Sequence, residues 1–215
     1  MNSADLSHIR REYSGGPLRK KSTPRNPFSL FHQWFEKISA LKPEDVNAMM
    51  LATASKSGLP DARTVLLKEF SSEGFSFFTN YQSRKGEELE ENPKAAILFY
   101  WPEVFRQIKV EGQIRTIPAK ESDLYFSTRP RGSQLAAWAS QQSAVIQSRD
   151  DLHTRAKELR NHYENRKIPR PTYWGGYRLI PSLFEFWQGQ PDRLHDRIQY
   201  RLDFKNNWIK ERLAP

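Results

Sequence analysis

Residues 104–117 alternate apolar and polar side chains, with Ile108, Val110 and Ile114 on one side and Gln107, Lys109, Glu111, Gln113 and Arg115 on the other. A period of two sends successive side chains to opposite faces, which predicts a long antiparallel strand with one face buried. Shorter extended runs flank it, at 49–54, 62–70, 75–79 and 95–101 before it and at 176–180, 183–187, 198–202 and near Trp208 after it. Gly58-Leu59-Pro60 marks a turn between the first two.

Helical segments lie between the strands. Phe28, Phe31, Trp34, Phe35, Ile38 and Leu41 recur at helical spacing behind Pro27, a residue suited to a first turn, and this stripe is read as core. Residues 83–91 read as a helix with Ser83 as its N-cap, and 118–127, 133–142 and 150–166 as three more. A short helical turn is predicted at 9–13. Strand runs joined by tight turns, with helices inserted, define the fold class as mainly β with peripheral α: an antiparallel barrel with surrounding helices. The polar, basic residues 1–26 read as a flexible N-terminal arm, and 27–215 as a single domain.

The 215 residues carry 34 Lys and Arg against 25 Asp and Glu, a formal net charge of +9 and a pI near 9.7. Such a balance suits nucleic acid, an anionic membrane surface or small phosphate esters, and does not choose among them. No apolar run approaches the ~20 residues that cross a bilayer, and residues 1–21 lack the apolar stretch of a secretory signal. The absence of cysteine excludes disulfides, thiolate metal sites and cysteine nucleophiles. Nothing hints at an oxidising compartment, so the cytoplasm is expected. The sequence also lacks the two standard glycine-rich phosphate cradles, the zinc-protease motif and the serine-hydrolase elbow. Its five histidines show no ligand spacing, so no metal is expected, and any phosphate must be held by side chains.

Four basic constellations remain. In Arg63-Thr64-Val65-Leu66-Leu67-Lys68 an extended chain offers a cation to each face of the sheet; surface charges at strand ends are an equal reading. Phe78-Thr79-Asn80 leads to Ser83-Arg84-Lys85 at a helix start, where cations oppose the helix dipole unless an anion joins them. The alternative there is a solvated start with Glu87 and Glu88 as compensating charges. Tyr125, Arg129 and Ser133, spaced by four around Pro130, form either a phosphate pocket or a structural corner. In Glu185-Phe-Trp-Gln-Gly-Gln-Pro-Asp-Arg193-Leu194-His195-Asp-Arg197, a period of two puts Arg193, His195 and Arg197 on one strand face. Concentrated positive charge of that kind calls for an anionic or electron-rich ligand.

Together these segments resemble the pyridoxamine 5'-phosphate oxidase family, from about Ile9 to the terminal Arg212-Leu-Ala-Pro. The 185–197 stretch is similar to the family signature, with support from 63–68 and from Ser127-Thr-Arg-Pro-Arg-Gly-Ser133. The resemblance implies an antiparallel split β-barrel with FMN at a homodimer interface. It implies that Arg63, Arg84 and Lys85 neutralise the FMN phosphate, helped by Gln142 and Ser143 of the partner subunit. The 63–68 backbone (Arg63, Thr64, Val65, Leu66, Leu67, Lys68), with Phe78, Thr79 and Gln107, would line the isoalloxazine and ribityl chain, and Trp187 and Arg197 would touch the flavin. Phe78 stands where some members have Tyr.

On the substrate side the resemblance implies that Lys68, Tyr125, Arg129 and Ser133 grip the substrate phosphate. Arg193, Leu194 and His195 would lie over the pyridine ring, and Arg10 and Tyr13 of the arm would close over it. The implied reaction oxidises pyridoxamine or pyridoxine 5'-phosphate to pyridoxal 5'-phosphate by hydride transfer to FMN, with O2 as final acceptor. Arg193 and His195 are the implied catalytic residues. Two phosphate-bearing ligands account for the positive charge without nucleic acid or membrane. A nucleic-acid-binding barrel, a flavin reductase on the same fold and a non-catalytic carrier are the rival readings.

Overall fold

The first helix is set by its cap: Asn26 accepts from the Phe28 backbone N–H at 2.9 Å, and Pro27 occupies the first turn, where its missing N–H costs nothing. This helix, α1 (Pro27–Ser39), buries Phe31, Trp34 and Ile38 of the expected stripe together with Leu30, while Phe28 and Phe35 are half-buried. Leu41, expected to be core, lies past the helix end and is exposed. The computed structural model describes residues 4–215.

The chain forms two compact units. One comprises residues up to 46, 98–110 and 182–215; the other comprises 47–97 and 111–181. The strands are β1 (Ala48–Ala54), β2 (Pro60–Leu66), β3 (Glu69–Ser71), β4 (Gly74–Asn80), β5 (Lys94–Trp101), β6 (Arg106–Thr116), β7 (Trp174–Gln188), β8 (Asp196–Leu202) and β9 (Trp208–Leu213). Their hydrogen-bonded order is β2-β1-β5-β6-β7-β4-β3, with β8 on β7 and β9 on β8. The β1–β2, β3–β4, β4–β7, β7–β8 and β8–β9 pairs are antiparallel. The remaining helices are α2 (Arg84–Glu91), α3 (Ala119–Thr128), α4 (Arg131–Ala139) and α5 (Arg149–His162).

In the first unit the core is aromatic. Phe31 meets Phe99 edge-on at 5.2 Å, and Trp34 meets Phe186 at 5.3 Å. Phe186 in turn meets Tyr200 at 5.7 Å. All but Trp34, at 3% exposure, are fully buried. Edge-to-face pairs of this kind add about 0.5–1.5 kcal/mol each beyond burial. The second unit buries Met49, Leu51, Phe75, Phe77, Ile97 and Leu179 among its strands, with Phe126, Leu135, Ile168 and Trp174 as a cluster among the helices.

Several boundaries differ from the sequence reading. Residues 9–13 form no helical turn; the turn lies one step earlier, closed by the Ile9 N–H on the Leu6 carbonyl. The 62–70 run breaks at Leu67 and Lys68, whose N–H groups go to Asn47 and Ser76 instead of one continuous ladder. The long alternating strand begins only at Arg106, because Phe105 is left-handed (φ 54°) at the end of a 3-10 turn. The expected strands at 176–180 and 183–187 are one strand of 15 residues, β7. Gly112 makes room for it: a Cβ there would stand 2.0 Å from the Ile180 carbonyl oxygen.

Gly86 plays the same part under α2. A Cβ on it would lie 1.9 Å from the Tyr81 carbonyl oxygen, backbone that cannot yield. Gly86→Ala is expected to lower the unfolding free energy by roughly 3 kcal/mol, the cost of overpacking, as measured by urea denaturation.

Candidate active site

The second unit holds a cavity of about 860 Å³, within the range of small-molecule sites. Arg63, Thr64, Val65, Leu66 and Lys68 of the β2 segment line it, with Phe78 and Thr79 of β4 and Lys85 of α2. Tyr125, Arg129, Ser133, Gln142, Ser143 and Trp174 complete the wall. Three of the four sequence constellations therefore meet in one place. Leu67 is buried and is not among the residues that line it.

Ser83 occupies the N-cap position of α2 but does not cap. Its hydroxyl donates to the Asn80 carbonyl at 2.6 Å and receives the Lys85 ammonium at 3.2 Å. Lys85 is 7% exposed, and burial first, then the charge of Arg63, push its pKa down. A buried ammonium with a single hydroxyl partner favours an incoming anion.

Arg63 is already engaged. It donates to Thr53 Oγ1 at 2.5 Å and to the Leu51 carbonyl at 3.2 Å, and pairs with Asp61 at 2.6 Å and Glu88 at 3.2 Å. Arg84 also spans both carboxylates, at 3.1 Å each. Glu88 is buried, which corrects its reading as a solvated compensating charge; only Glu87 is exposed. Burial works against the ionised Glu88, yet the Thr53, Arg84 and Arg63 hydrogen bonds hold its pKa low. The sequence reading named Glu88 only as a solvated countercharge and did not single out Asp61, yet both pair with the site's guanidiniums. Both were in reach, two residues before Arg63 on one strand face and four after Arg84 on one helix face.

At another part of the cavity wall, Phe78 stacks on Tyr125 with ring centroids 3.9 Å apart, and on Trp174 at 5.6 Å. The Arg129 guanidinium lies 4.5 Å from the Trp174 centroid, a cation–π contact. Its Nη1 is buried without a hydrogen-bond partner, and burial lowers its pKa. A buried guanidinium nitrogen without an acceptor is costly, and Arg129 itself lines the cavity. Ser133 is the third residue of α4, its N–H bound to Pro130. Gln142 and Ser143, expected from a partner subunit, line the cavity of their own chain, and Gln142 accepts from Thr79 at 3.0 Å.

The fourth constellation lies in the first unit and departs from the expected geometry. Residues Pro191–Arg193 form a 3-10 turn, with Asp192 and Arg193 at φ 54° and 60°. The shared strand face for Arg193, His195 and Arg197 is therefore corrected: β8 starts at Asp196, and of the three only Arg197 is in it. Arg197 donates to Glu185 Oε1 and to the Ala214 carbonyl, each at 2.8 Å. His195 packs against Trp187 at 4.7 Å and Tyr13 at 5.2 Å, and Tyr13 also meets Trp187 and Phe105. Arg10, Arg193 and Leu194 are exposed, and Gln107 is half-buried.

A cavity that pairs buried cations with near-parallel aromatic rings defines the class: a binder of phosphorylated aromatic ligands on an antiparallel sheet. A family model described as pyridoxamine 5'-phosphate oxidase matches residues 35–163, and one described as the pyridoxine 5'-phosphate oxidase C-terminal dimerisation region matches 174–215. A pyridoxine/pyridoxamine 5'-phosphate oxidase of Chromohalobacter salexigens is 50% identical over 212 residues, 98% of this chain and 99% of the relative. One from Microcystis aeruginosa is 50% identical over 210 residues, 98% of each. The crystal structure of PhzG from Burkholderia lata 383 in complex with tetrahydrophenazine-1-carboxylic acid has a TM-score of 0.88 at 32% identity, over 94% of this chain and 100% of that one. The chain belongs to the pyridoxamine 5'-phosphate oxidase family. Its fold is the split barrel with surrounding helices that the resemblance implied. No helix among the described residues is long and apolar enough to cross a membrane.

His195 Nδ1 accepts from the Gln190 backbone N–H at 3.1 Å. Burial, then the charge of Arg193, lower its pKa from the usual 6.5. The unfolded ring then binds its proton first, so stability is expected to fall as pH drops below about 6.5 toward the folded value. NMR titration of the ring should give a folded pKa below 6.5 that rises in Arg193→Ala.

Proposed function

We propose that this chain oxidises pyridoxamine and pyridoxine 5'-phosphate to pyridoxal 5'-phosphate, using FMN as cofactor and O2 as final acceptor. One observation carries the reading: a single cavity holds two separate basic groups, Arg63 with Lys85 and Arg129 with Tyr125 and Ser133, beside aromatic rings. FMN and the substrate each bear a phosphate of nearly two negative charges, so two such groups are needed. A flavin reductase would have no use for the second.

Arg63, Arg84 and Lys85, with Gln142 and Ser143, hold the FMN phosphate. The 63–68 backbone, Phe78, Thr79 and Gln107 line the rest of the cofactor, and Trp187 and Arg197 touch the flavin. A backbone contact at Phe78 survives its lack of a hydroxyl. Lys68, Tyr125, Arg129 and Ser133 take the substrate phosphate, and Arg193, Leu194 and His195 cover the pyridine ring, with Arg10 and Tyr13 closing from the 1–26 arm. The active form is a homodimer with FMN at its interface, and it works in the cytoplasm.

The chemistry that bound FMN supplies is hydride acceptance from C4' of the substrate, with reoxidation by O2 to hydrogen peroxide. The protein supplies binding and orientation. The neutral His195 ring, with Nδ1 accepting from Gln190, carries its proton on Nε2 and donates from there. This geometry favours orienting the C4' substituent over taking a proton from it. Arg197, held by Glu185, presents fixed positive charge that favours an electron-rich ring.

With pyridoxamine 5'-phosphate in air, the FMN-loaded protein is expected to form pyridoxal 5'-phosphate, ammonia and hydrogen peroxide in equal amounts. Arg129→Ala should raise KM about tenfold or more with little change in kcat, because the phosphate contact is the same in ground and transition states; an unchanged KM would remove Arg129 from that role. Arg193→Ala should lower kcat while FMN stays bound, and loss of FMN from that variant would contradict its placement.

A further inference from the structure

Asp61 Oδ2 lies 2.6 Å from Arg63 Nη2 and 3.1 Å from Arg84 Nε, so one carboxylate oxygen bridges two guanidiniums. A phosphate oxygen accepts charge-assisted hydrogen bonds from paired guanidiniums in the same way. Asp61 stands opposite Thr53 across the β1–β2 ladder and shares a strand face with Arg63. Glu88, the other carboxylate, is held differently. Its side chain is 8% exposed against 27% for Asp61, and Thr53, Arg63 and Arg84 all donate to it. Glu88 is held by three donors; Asp61 is more exposed, and its Oδ1 accepts from the Ala62 backbone N–H at 2.8 Å.

Charge balance points the same way. Arg63, Arg84 and Lys85 carry three positive charges against the two negative charges of Asp61 and Glu88, leaving one. A phosphate monoester carries nearly two negative charges. Turning Asp61 out to solvent raises the local balance to two, removes the Asp61 partner of Arg63 Nη2 and leaves Arg84 paired with Glu88 alone.

We propose that Asp61 and the FMN phosphate compete for the same two guanidiniums, Arg63 and Arg84, and that this competition sets how tightly FMN is held. The inference rests on the FMN reading given above. Asp61 is thus a tuning residue that weakens cofactor binding, whereas Glu88 positions the guanidiniums and strengthens it.

The test is titration of the full-length, flavin-stripped protein with FMN and, separately, with riboflavin, followed by flavin fluorescence. Asp61→Asn keeps the side-chain shape and removes the charge; Asp61→Ser is a second variant should the first fold poorly. Both are expected to lower the Kd for FMN about tenfold, the effect of removing one like charge beside the phosphate, and to leave the Kd for riboflavin unchanged. Glu88→Gln is expected to raise the Kd for FMN. An FMN Kd that is unchanged or higher in both Asp61 variants would overturn the proposal, as would equal tightening toward riboflavin. If wild-type protein binds FMN and only the tightening fails, this inference alone falls; if no form binds FMN, the cofactor reading fails and takes the inference with it.

Discussion

Like charges repel, and Arg63, Arg84 and Lys85 are brought together by a strand and a helix start that both belong to the same unit. Without carboxylates between them the arrangement would be costly, and more so because Lys85 is buried. Glu88 resolves this from inside the unit, tied to Thr53, Arg63 and Arg84. Much of the local sequence serves that contact. Gly86 lets α2 lie against the Tyr81 backbone, and the β1–β2 register sets Leu51 opposite Arg63, so that the guanidinium reaches both the Leu51 carbonyl and Thr53.

The Arg129 part of the wall solves a similar problem by other means. Here no carboxylate answers the cation. Trp174 offers its ring face, and one guanidinium nitrogen stays unpaired. The stacked Phe78 and Tyr125 rings continue the aromatic surface. A cation satisfied only by π-faces is held firmly in place and retains affinity for an anion. The two basic groups thus differ in kind: one is a buffered ion network, the other a guanidinium kept short of acceptors.

Much of this was legible in the sequence, and the failures have local causes. The 104–117 alternation located β6, and the aromatic stripe located α1, because each pattern follows the geometry of its own backbone. Residues 176–180 and 183–187 read as two strands, but Gly112 on the neighbouring strand leaves space and β7 runs straight through. Arg193 and His195 read as strand residues because their spacing is two. Positive φ at Asp192 and Arg193 belongs to a turn that no alternation reveals. Ser83 looked like a cap, yet its hydroxyl serves Asn80 and Lys85. Arg63, Lys68, Lys85 and Arg129, singled out as conspicuous cations, line one cavity. Of the carboxylates that answer them, Glu88 was read only as a solvated compensating charge and Asp61 was not singled out.

Visible spectroscopy of the purified protein under anaerobic conditions tests the central claim most directly. FMN-loaded protein should be yellow, lose its absorbance near the flavin maximum when pyridoxamine 5'-phosphate is added, and regain it on admission of air. Protein that takes up FMN but keeps its colour with the substrate would contradict the oxidase assignment, and protein that takes up no FMN would contradict the cofactor site itself.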